Sequence, residues 1–139
     1  MPAQPLKFRF NTRDFDAGVR KALLQHPQQA MRAMRDIKNL LVKEARWRCP
    51  KDGGDLRLAI TGDVQQNASS LAACVYVPAN SPASEYAVWI HEGQYNLGKK
   101  SMDLQRKTPG VVIGPKYITR AIEENRERIV AIMREALKK

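Results

Sequence analysis

Apolar side chains recur at spacings of three and four residues in the first half of the chain, which is the spacing of an α-helix. The members of this stripe are Met31, Met34, Ile37, Leu41 and Ala45. They follow one side of a helix for about six turns. Basic residues occupy the other sides, at Arg32, Arg35, Lys38, Lys43, Arg46 and Arg48. The pattern therefore predicts a long amphipathic helix that ends beside Cys49-Pro50.

A shorter helix is predicted directly before the long one. Asn11 and Thr12 can cap it, and Asp14 and Asp16 in its first turn suit the positive end of the helix dipole. Pro27 cannot lie inside a helix without loss of a backbone hydrogen bond, but it suits the first position of a new helix. A kinked pair of helices is therefore expected.

The last part of the chain shows helical spacing again, after Gly114-Pro115. Its apolar positions are Ile118, Ala121, Ile122, Ile129, Ile132, Met133, Ala136 and Leu137. Acidic residues come early in this stretch and basic residues come late, an order that complements the helix dipole. One amphipathic helix is therefore predicted to run to the C-terminal end.

Short apolar runs between these helices suit β-strands. Leu56, Leu58 and Ile60 alternate with other residues, which is the period-two pattern of a strand with one covered face. Residues 73–77 and 86–91 are predicted as two further strands, and 111–113 as a short last one. The expected fold class is α+β: a kinked N-terminal helix pair and a C-terminal amphipathic helix pack on a small, mainly antiparallel sheet. We expect residues 1–139 to form a single domain.

Two segments are predicted to contact other molecules. Residues 1–10 alternate weakly, which suits a short edge strand or an arm that pairs with a neighbour, and Pro2 and Pro5 favour the arm. Residues 93–110 lack a regular pattern and are predicted as a basic insertion loop, and so long a loop in a small domain is usually functional or disordered. The candidate assembly contacts in these segments are Phe8, Phe10, Lys99, Lys100, Arg106 and Lys107.

Charge is the main signal in the composition. The chain has 24 basic and 14 acidic residues and a formal net charge of +10, which favours polyanions or acidic protein surfaces as partners. No apolar run approaches the roughly 20 residues that cross a bilayer, and the N-terminus lacks the pattern of a secretory signal. We therefore expect folding in a cytosol, no membrane contact, and Cys49 and Cys74 as free thiols.

Few side chains suit catalysis or ligand binding. His91-Glu92-Gly93 resembles half of a zinc-binding motif, but Tyr95 stands where the second histidine belongs. The acidic pairs fall at helix starts or on charged helical faces, where solvated carboxylates are expected. The chain contains no Gly-Lys-Ser or Gly-Lys-Thr phosphate loop and no serine elbow. We therefore expect no enzymatic activity, no metal and no cofactor.

Three stretches resemble the tail-component family of long-tailed bacteriophages, the gene-product-ten type that includes tail-completion, neck and minor capsid proteins. The first is a long helix closed by proline and glycine, here residues 46–50 followed by Gly54. The second and most specific is aromatic-Ala-x-aromatic-x-x-Glu-Gly, carried by Tyr86, Ala87, Trp89, Glu92 and Gly93. The third is a terminal helix led by proline, with Pro115, Tyr117 and Ala121.

The resemblance implies a structural role in the virion, assembled in the host bacterial cytoplasm. Copies of the chain would form a ring, expected to be a hexamer, at the head-tail neck or the tail end. The implied partners are other copies and neighbouring connector, tail-terminator or tail-tube proteins, with nonspecific contact to packaged DNA as a further expectation. The residues leave an alternative open, a basic DNA-binding or DNA-processing phage protein that uses the basic side of the long helix.

Overall fold

A computed structural model describes residues 7–11, 21, 24–50, 55–66, 71–93, 97–107 and 110–138. Within these ranges, six helices with described ends and a three-stranded sheet form an α+β fold, as predicted. The helices are α1 Pro27–Arg48, α2 Asp55–Ala59, α3 Ser84–Glu92, α4 Lys99–Lys107, α5 Tyr117–Glu124 and α6 Arg126–Leu137. The strands are β1 Lys7–Asn11, β2 Thr61–Gln66 and β3 Leu71–Tyr76. Among the described helices, none has the length and apolar character needed to span a membrane.

α1 is the long amphipathic helix that the apolar stripe predicts, and it organises the core. Pro27 lies in its first turn. Backbone N–H groups of the first turn have no acceptor within the helix, so the N–H that proline lacks costs no hydrogen bond. Met34 and Ile37 are fully buried, and α1 packs against α5, α6, β2 and β3. The backbone N–H of Cys49 donates to the Ala45 carbonyl oxygen at 3.0 Å, at the end of the helix. The shorter helix predicted before Pro27 falls mostly on residues outside the described ranges.

The sheet has the strand order β1-β3-β2, and both pairs are antiparallel. Residues 71–75 of the central strand are all buried, which explains their continuous apolar run. The strand predicted at 73–77 is therefore confirmed, with an earlier start. β1 pairs with β3 from Lys7 opposite Tyr76 to Asn11 opposite Ala72, so residues 7–11 form an edge strand of the chain's own sheet. Of the two predicted alternatives, these five residues form the edge strand and not the arm that Pro2 and Pro5 favour.

The alternating run at residues 56–60 lies in and just after helix α2, so its prediction as a strand is wrong. Leu56 and Ile60 lie one turn apart and are both buried, and the Ile60 N–H donates to the Leu56 carbonyl oxygen at 3.2 Å. Leu58, between them, is 74% exposed. Residues i and i+4 lie on one side of both a strand and a helical turn, so a run of only five residues does not separate the two. The strand β2 begins after this run.

β2 lies close to α1 because of Gly62. A Cβ atom at this position would be 2.6 Å from the Cys74 carbonyl oxygen and 2.9 Å from Cγ2 of Val42. Such overlap excludes any larger residue unless the surrounding backbone moves. The close approach places the start of β2 beside the Lys38 side chain, whose Cγ would be 3.0 Å from the same Cβ atom.

Residues 86–91, predicted as a strand, lie in helix α3, and that prediction is also wrong. Ala83, Ala87 and His91 follow at intervals of four and are buried, so they form the inner side of this segment. Val88 and Trp89 lie on the outer side and are 38% and 62% exposed. Aromatic and branched residues favour strands, but the tertiary packing of the small alanines decides here.

The segment 93–110, predicted as a basic loop, is not a continuous loop because α4 occupies Lys99–Lys107. Ser101 of α4 is buried. Gln105 joins the helix to the following segment: its Nε2 donates to the Val111 carbonyl oxygen at 2.5 Å, and its Oε1 accepts from the Ile113 N–H at 2.7 Å. Residues 111–113 therefore bond to a side chain instead of forming the predicted last strand.

The C-terminal stretch forms two helices instead of the single predicted one, because the helix breaks at Asn125. The Asn125 N–H donates to the Ile122 carbonyl oxygen at 3.3 Å, and its side-chain Nδ2 donates to the Ala121 carbonyl oxygen at 2.8 Å. An asparagine side chain that bonds the backbone competes with the regular helical pattern. Ile118 of α5 and Ile129 of α6 are fully buried, and both helices pack on α1.

Candidate functional site

Two of the three motif stretches meet in the folded chain, at the contact between α3 and α5. Tyr117 is fully buried, and its hydroxyl donates to the Ala87 carbonyl oxygen at 2.9 Å. Ala121, one turn along α5, is also fully buried. We call this contact the α3–α5 junction. The side chain of Tyr86 lies outside the described residues, and Trp89 faces outward.

His91 lies inside the α3–α5 junction and has no exposed surface. Its ring centroid is 4.9 Å from that of Phe8 on β1 and 4.8 Å from that of Tyr117, which approaches edge-on. Nε2 accepts from the Thr119 N–H at 3.5 Å, and Nδ1 lies 3.1 Å from Oε1 of Glu92. With Nε2 as the acceptor, Nδ1 carries the proton, so the pattern is that of a neutral imidazole. Phe8, predicted as an assembly contact, is thus half-buried against the chain's own core.

The surroundings of His91 keep it neutral at physiological pH. Burial, together with the charges of Lys116 and Arg120, lowers the pKa of the imidazole to about 4. Protonation would place a charge inside the core, which burial disfavours. His91 therefore acts as an uncharged packing residue of the junction at neutral pH.

Glu92 and Lys116 close the junction on its solvent side. Oε2 of Glu92 forms an ion pair with Nζ of Lys116, and each of the two side chains is about half exposed. The Lys116 backbone N–H donates to the His91 carbonyl oxygen at 2.7 Å. Lys116 has a φ of 60°, a left-handed conformation that is uncommon for residues other than glycine. Lys116 therefore fixes the turn into α5 with two bonds, one from its backbone N–H and one from its side chain, while its own backbone is strained.

A buried ionic cluster joins α1 to α5 and α6. Glu44 and Arg48 are 4% and 5% exposed, with Oε2 of Glu44 2.7 Å from Nη1 of Arg48. Nη1 of Arg128 lies 2.8 Å from Oε1 of Glu44, and Nη2 of Arg48 lies 3.3 Å from Oε1 of Glu124. Burial by itself raises the pKa of the Glu44 carboxyl, but the hydrogen bonds and charges of Arg48 and Arg128 outweigh burial and hold that pKa below its ordinary value. The cluster fastens three helices together.

Reactive groups are few in the part of the chain that the structure describes. Within that part, no three side chains of His, Cys, Asp or Glu lie together as a metal site. Cys49 and Cys74 are buried free thiols. Burial raises the pKa of the Cys49 thiol to about 12, against the opposing charge of Arg57. Because the thiolate is the reactive form, the Cys49 thiol is inert at neutral pH.

Exposed residues on and beside α4 form a mixed apolar and basic surface, which we call the α4 surface. Its members are Lys100, Met102, Arg106, Lys107 and Val112. Met102 is 47% exposed and Val112 is 65% exposed. Gln105 lies one turn from Met102, and its side chain bonds to the residues on either side of Val112. Nη1 of Arg106 is 3.8 Å from Oδ1 of Asp103.

The predicted assembly contacts therefore have different surroundings. Lys100, Arg106 and Lys107 are exposed on one helix, whereas Phe8 packs inward. The side chains of Phe10 and Lys99 lie outside the described residues. The predicted cations of residues 93–110 all fall within α4, which also carries the exposed Met102.

A shallow groove lies between the outer side of α1 and the segment that leads from α2 into β2. It encloses about 460 Å³ and is lined by Lys38, Asn39, Val42, Lys43, Arg46, Trp47, Arg57, Thr61 and Gly62. We call it the basic groove, because four of these residues are cations and none is acidic. Nε of Arg46 donates to the Ile60 carbonyl oxygen at 2.9 Å, and Nε of Arg57 donates to the Arg46 carbonyl oxygen at 2.7 Å. Nζ of Lys43 lies 5.8 Å from the centroid of the Trp47 ring.

The sequence predicts the basic side of α1, although Arg48, which was predicted on that side, is buried. It does not predict the basic groove. Arg57 falls in a predicted strand, whereas the structure places it in helix α2, where it bonds to the Arg46 carbonyl oxygen of α1. For the close approach of β2 to α1, the available signal is a glycine inside a strand-forming run. Glu44 is likewise not predicted, although an acidic residue four positions before Arg48 on a basic helix suggests a pair. Comparison with protein-family models, with curated proteins and with solved structures finds no match to this chain.

Proposed function

We propose that this chain is a non-enzymatic structural protein of a tailed bacteriophage virion, whose copies form a ring at the head-tail neck or the tail end. The observation that carries the proposal is the α3–α5 junction. Two stretches that resemble the tail-component family, separated in sequence, meet there through Tyr117 and Ala87 and through Lys116 and Glu92. Ala87, Tyr117 and Ala121, three of the residues on which the resemblance depends, are thus packed together.

The exposed surfaces support an assembling subunit. The α4 surface combines exposed apolar residues with cations, a composition suited to contact with a different surface of a neighbouring copy. Contacts between two unlike surfaces repeat from copy to copy and close into a ring when the rotation at each step divides a full turn. Within the described residues, β1 and β2 each pair with β3 alone, so both sheet edges can also accept a partner strand. The proposed partners are other copies and neighbouring connector, tail-terminator or tail-tube proteins.

Substitutions on the α4 surface test the proposal. Deletion of residues 94–107 is a less specific test than point substitution, because it also removes buried Ser101 and the bonds of Gln105. The double variant Met102→Glu, Val112→Glu places charges on exposed positions and should fold normally. It should fail to enter phage particles or to form rings, as seen by native mass spectrometry and negative-stain electron microscopy.

A matched control is Leu24→Glu, at a position that is 77% exposed and away from α4 in sequence. This variant should assemble as the natural chain does. The gene is also expected to lie beside portal and tail genes. Normal incorporation of the Met102, Val112 double variant, or a protein that never enters particles at all, would contradict the proposal.

A further inference from the structure

We infer that the basic groove and the adjoining outer side of α1 bind the phosphodiester backbone of duplex DNA. The inference does not depend on ring formation. Lys38, Lys43 and Arg57 line the groove, and the exposed Arg35 extends the same outer side of α1 toward its N-terminus. Asp36 lies in a separate hollow beside Arg32 and Glu135, and Glu44 is buried, so the groove side of α1 is strongly positive.

The arrangement of the cations matches a linear polyanion. Arg35 and Lys43 are separated by eight residues of continuous helix, or about 12 Å at the usual rise per residue. Duplex DNA carries about one phosphate charge per 1.7 Å of its axis when both strands are counted, so a row of this length lies beside several phosphates. Arg57 adds a charge from across the groove. The face can therefore meet several phosphates at once.

The charges of the groove are available for a ligand. Among the described residues, neither Lys38 nor Lys43 has an ion-pair partner, in contrast to Arg48, whose guanidinium is paired twice. Burial lowers the pKa of the Arg57 guanidinium, because its charge is partly removed from water. Because the described lining of the groove contains no acidic side chain, a bound phosphate would supply a counter-charge there.

The residue types favour DNA over an acidic protein surface. Lysine is depleted at the cores of protein interfaces, whereas Lys, Arg and Asn are side chains that commonly contact phosphate oxygens. Lys38, Asn39 and Lys43 lie together in the groove. Contacts of this kind position a duplex without reading its bases, so binding should be independent of sequence.

The salt dependence of DNA binding tests the inference. Anisotropy of a fluorescein-labelled duplex measures the association constant of the full chain over a range of salt concentrations. If Arg35, Lys38, Lys43 and Arg57 each neutralise one phosphate, the logarithm of that constant falls against the logarithm of salt with a slope of about −3.6. The double variant Lys38→Gln, Lys43→Gln should have a slope of about −1.8 and at least tenfold weaker binding at low salt.

The matched control is Arg126→Gln, Arg134→Gln, which removes the same charge from exposed positions on α6. It should retain the slope of the natural chain. Equal losses in both double variants would show that net charge alone attracts DNA and would overturn the inference. So would an unchanged slope in the Lys38, Lys43 variant, whose fold is checked by its circular dichroism.

Tryptophan fluorescence locates the bound DNA. The chain has two tryptophans, so in a Trp89→Phe background Trp47 alone reports, and Trp47 lines the groove. Its emission should change as DNA saturates the protein, whereas saturation without any change would place the DNA elsewhere and refute the inference. Polyglutamate is the competitor. If it displaces DNA at equal charge concentration with the same Trp47 response, the groove serves an acidic protein and the DNA assignment is wrong.

Discussion

Replacement of Glu44 by glutamine tests whether the buried ionic cluster holds the helices together. The two carboxylate oxygens of Glu44 lie 2.7 Å from Arg48 and 2.8 Å from Arg128. Glutamine keeps the size of the side chain but removes its charge, and its amide group presents donors toward a guanidinium. Arg48, which is 5% exposed, then loses its closest counter-charge where water cannot replace it.

The expected cost follows from the surroundings of the two arginines. Removal of one partner from a buried ion pair costs about 3–5 kcal/mol. Arg48 keeps the Glu124 carboxylate at 3.3 Å and the Glu44 carbonyl oxygen at 3.0 Å, which favours the lower end of that range. The Arg128 side chain is 60% exposed and can turn to water. We therefore expect Glu44→Gln to lower the free energy of unfolding by about 3 kcal/mol, and Arg128→Ala by about 1 kcal/mol or less.

Urea denaturation followed by circular dichroism measures both losses. The midpoint should fall while the dependence on urea concentration stays constant, because the surface exposed on unfolding is unchanged. The double variant Glu44→Leu, Arg48→Met removes both charges from the interior and should regain most of the stability. A Glu44→Gln variant within about 1 kcal/mol of the natural chain would refute this reasoning, as would an equal loss in Arg128→Ala.

Three further perturbations follow from the described contacts. Tyr117→Phe leaves the Ala87 carbonyl oxygen without its donor and should cost about 1–2 kcal/mol in urea denaturation, so an unchanged midpoint would count against that bond. Gly62→Ala drives a Cβ atom against the Cys74 carbonyl oxygen and should cost about 1–3 kcal/mol, and a stabilised variant would contradict the close approach. The pKa of His91 lies at about 4 in the fold against an ordinary 6.5, so the unfolded chain binds the proton first as pH falls. Stability should therefore decline from pH 6.5 to 4 and lose about 2 kcal/mol by pH 5, a loss that should vanish in His91→Gln.

The long helices were predictable from sequence because their apolar stripes extend over many turns. Over the length of α1 only the helical period fits, so tertiary contacts could not change the outcome. The runs at 56–60 and 86–91 are too short for this distinction. Leu56 and Ile60, or Ala87 and His91, lie on one side in either periodicity, and burial against the core decided between them. Asn125 broke the last helix through a bond of its own side chain, which spacing does not reveal.

The candidate surfaces were predictable only in part, because they bring together residues that are far apart in the sequence. A charged side of α1 follows from the helical spacing of its arginines and lysines. The basic groove requires Arg57 to meet that side from another element, and the ionic cluster requires Arg128 to reach Glu44 across 84 positions. Contacts between residues so far apart depend on the fold as a whole. Tyr117 and Ala87 stand in different stretches of the sequence, and nothing in the sequence predicted that they would bond.

The position of β1 has a consequence for the order of folding. β2 and β3 follow each other closely in sequence, whereas α1 and α2 separate β1 from both, so loop-closure entropy delays β1 until the other pair has formed. Before β1 docks, the edge of β3 that β1 will occupy can pair with the β1 segment of any copy, in the same register from Tyr76 to Ala72. Exchange of β1 between neighbours would therefore preserve every pairing while it links the copies. Amide hydrogens of β1 that exchange faster than those of β2 are the expected signature, and equal protection of the two strands would rule out a late-docking β1.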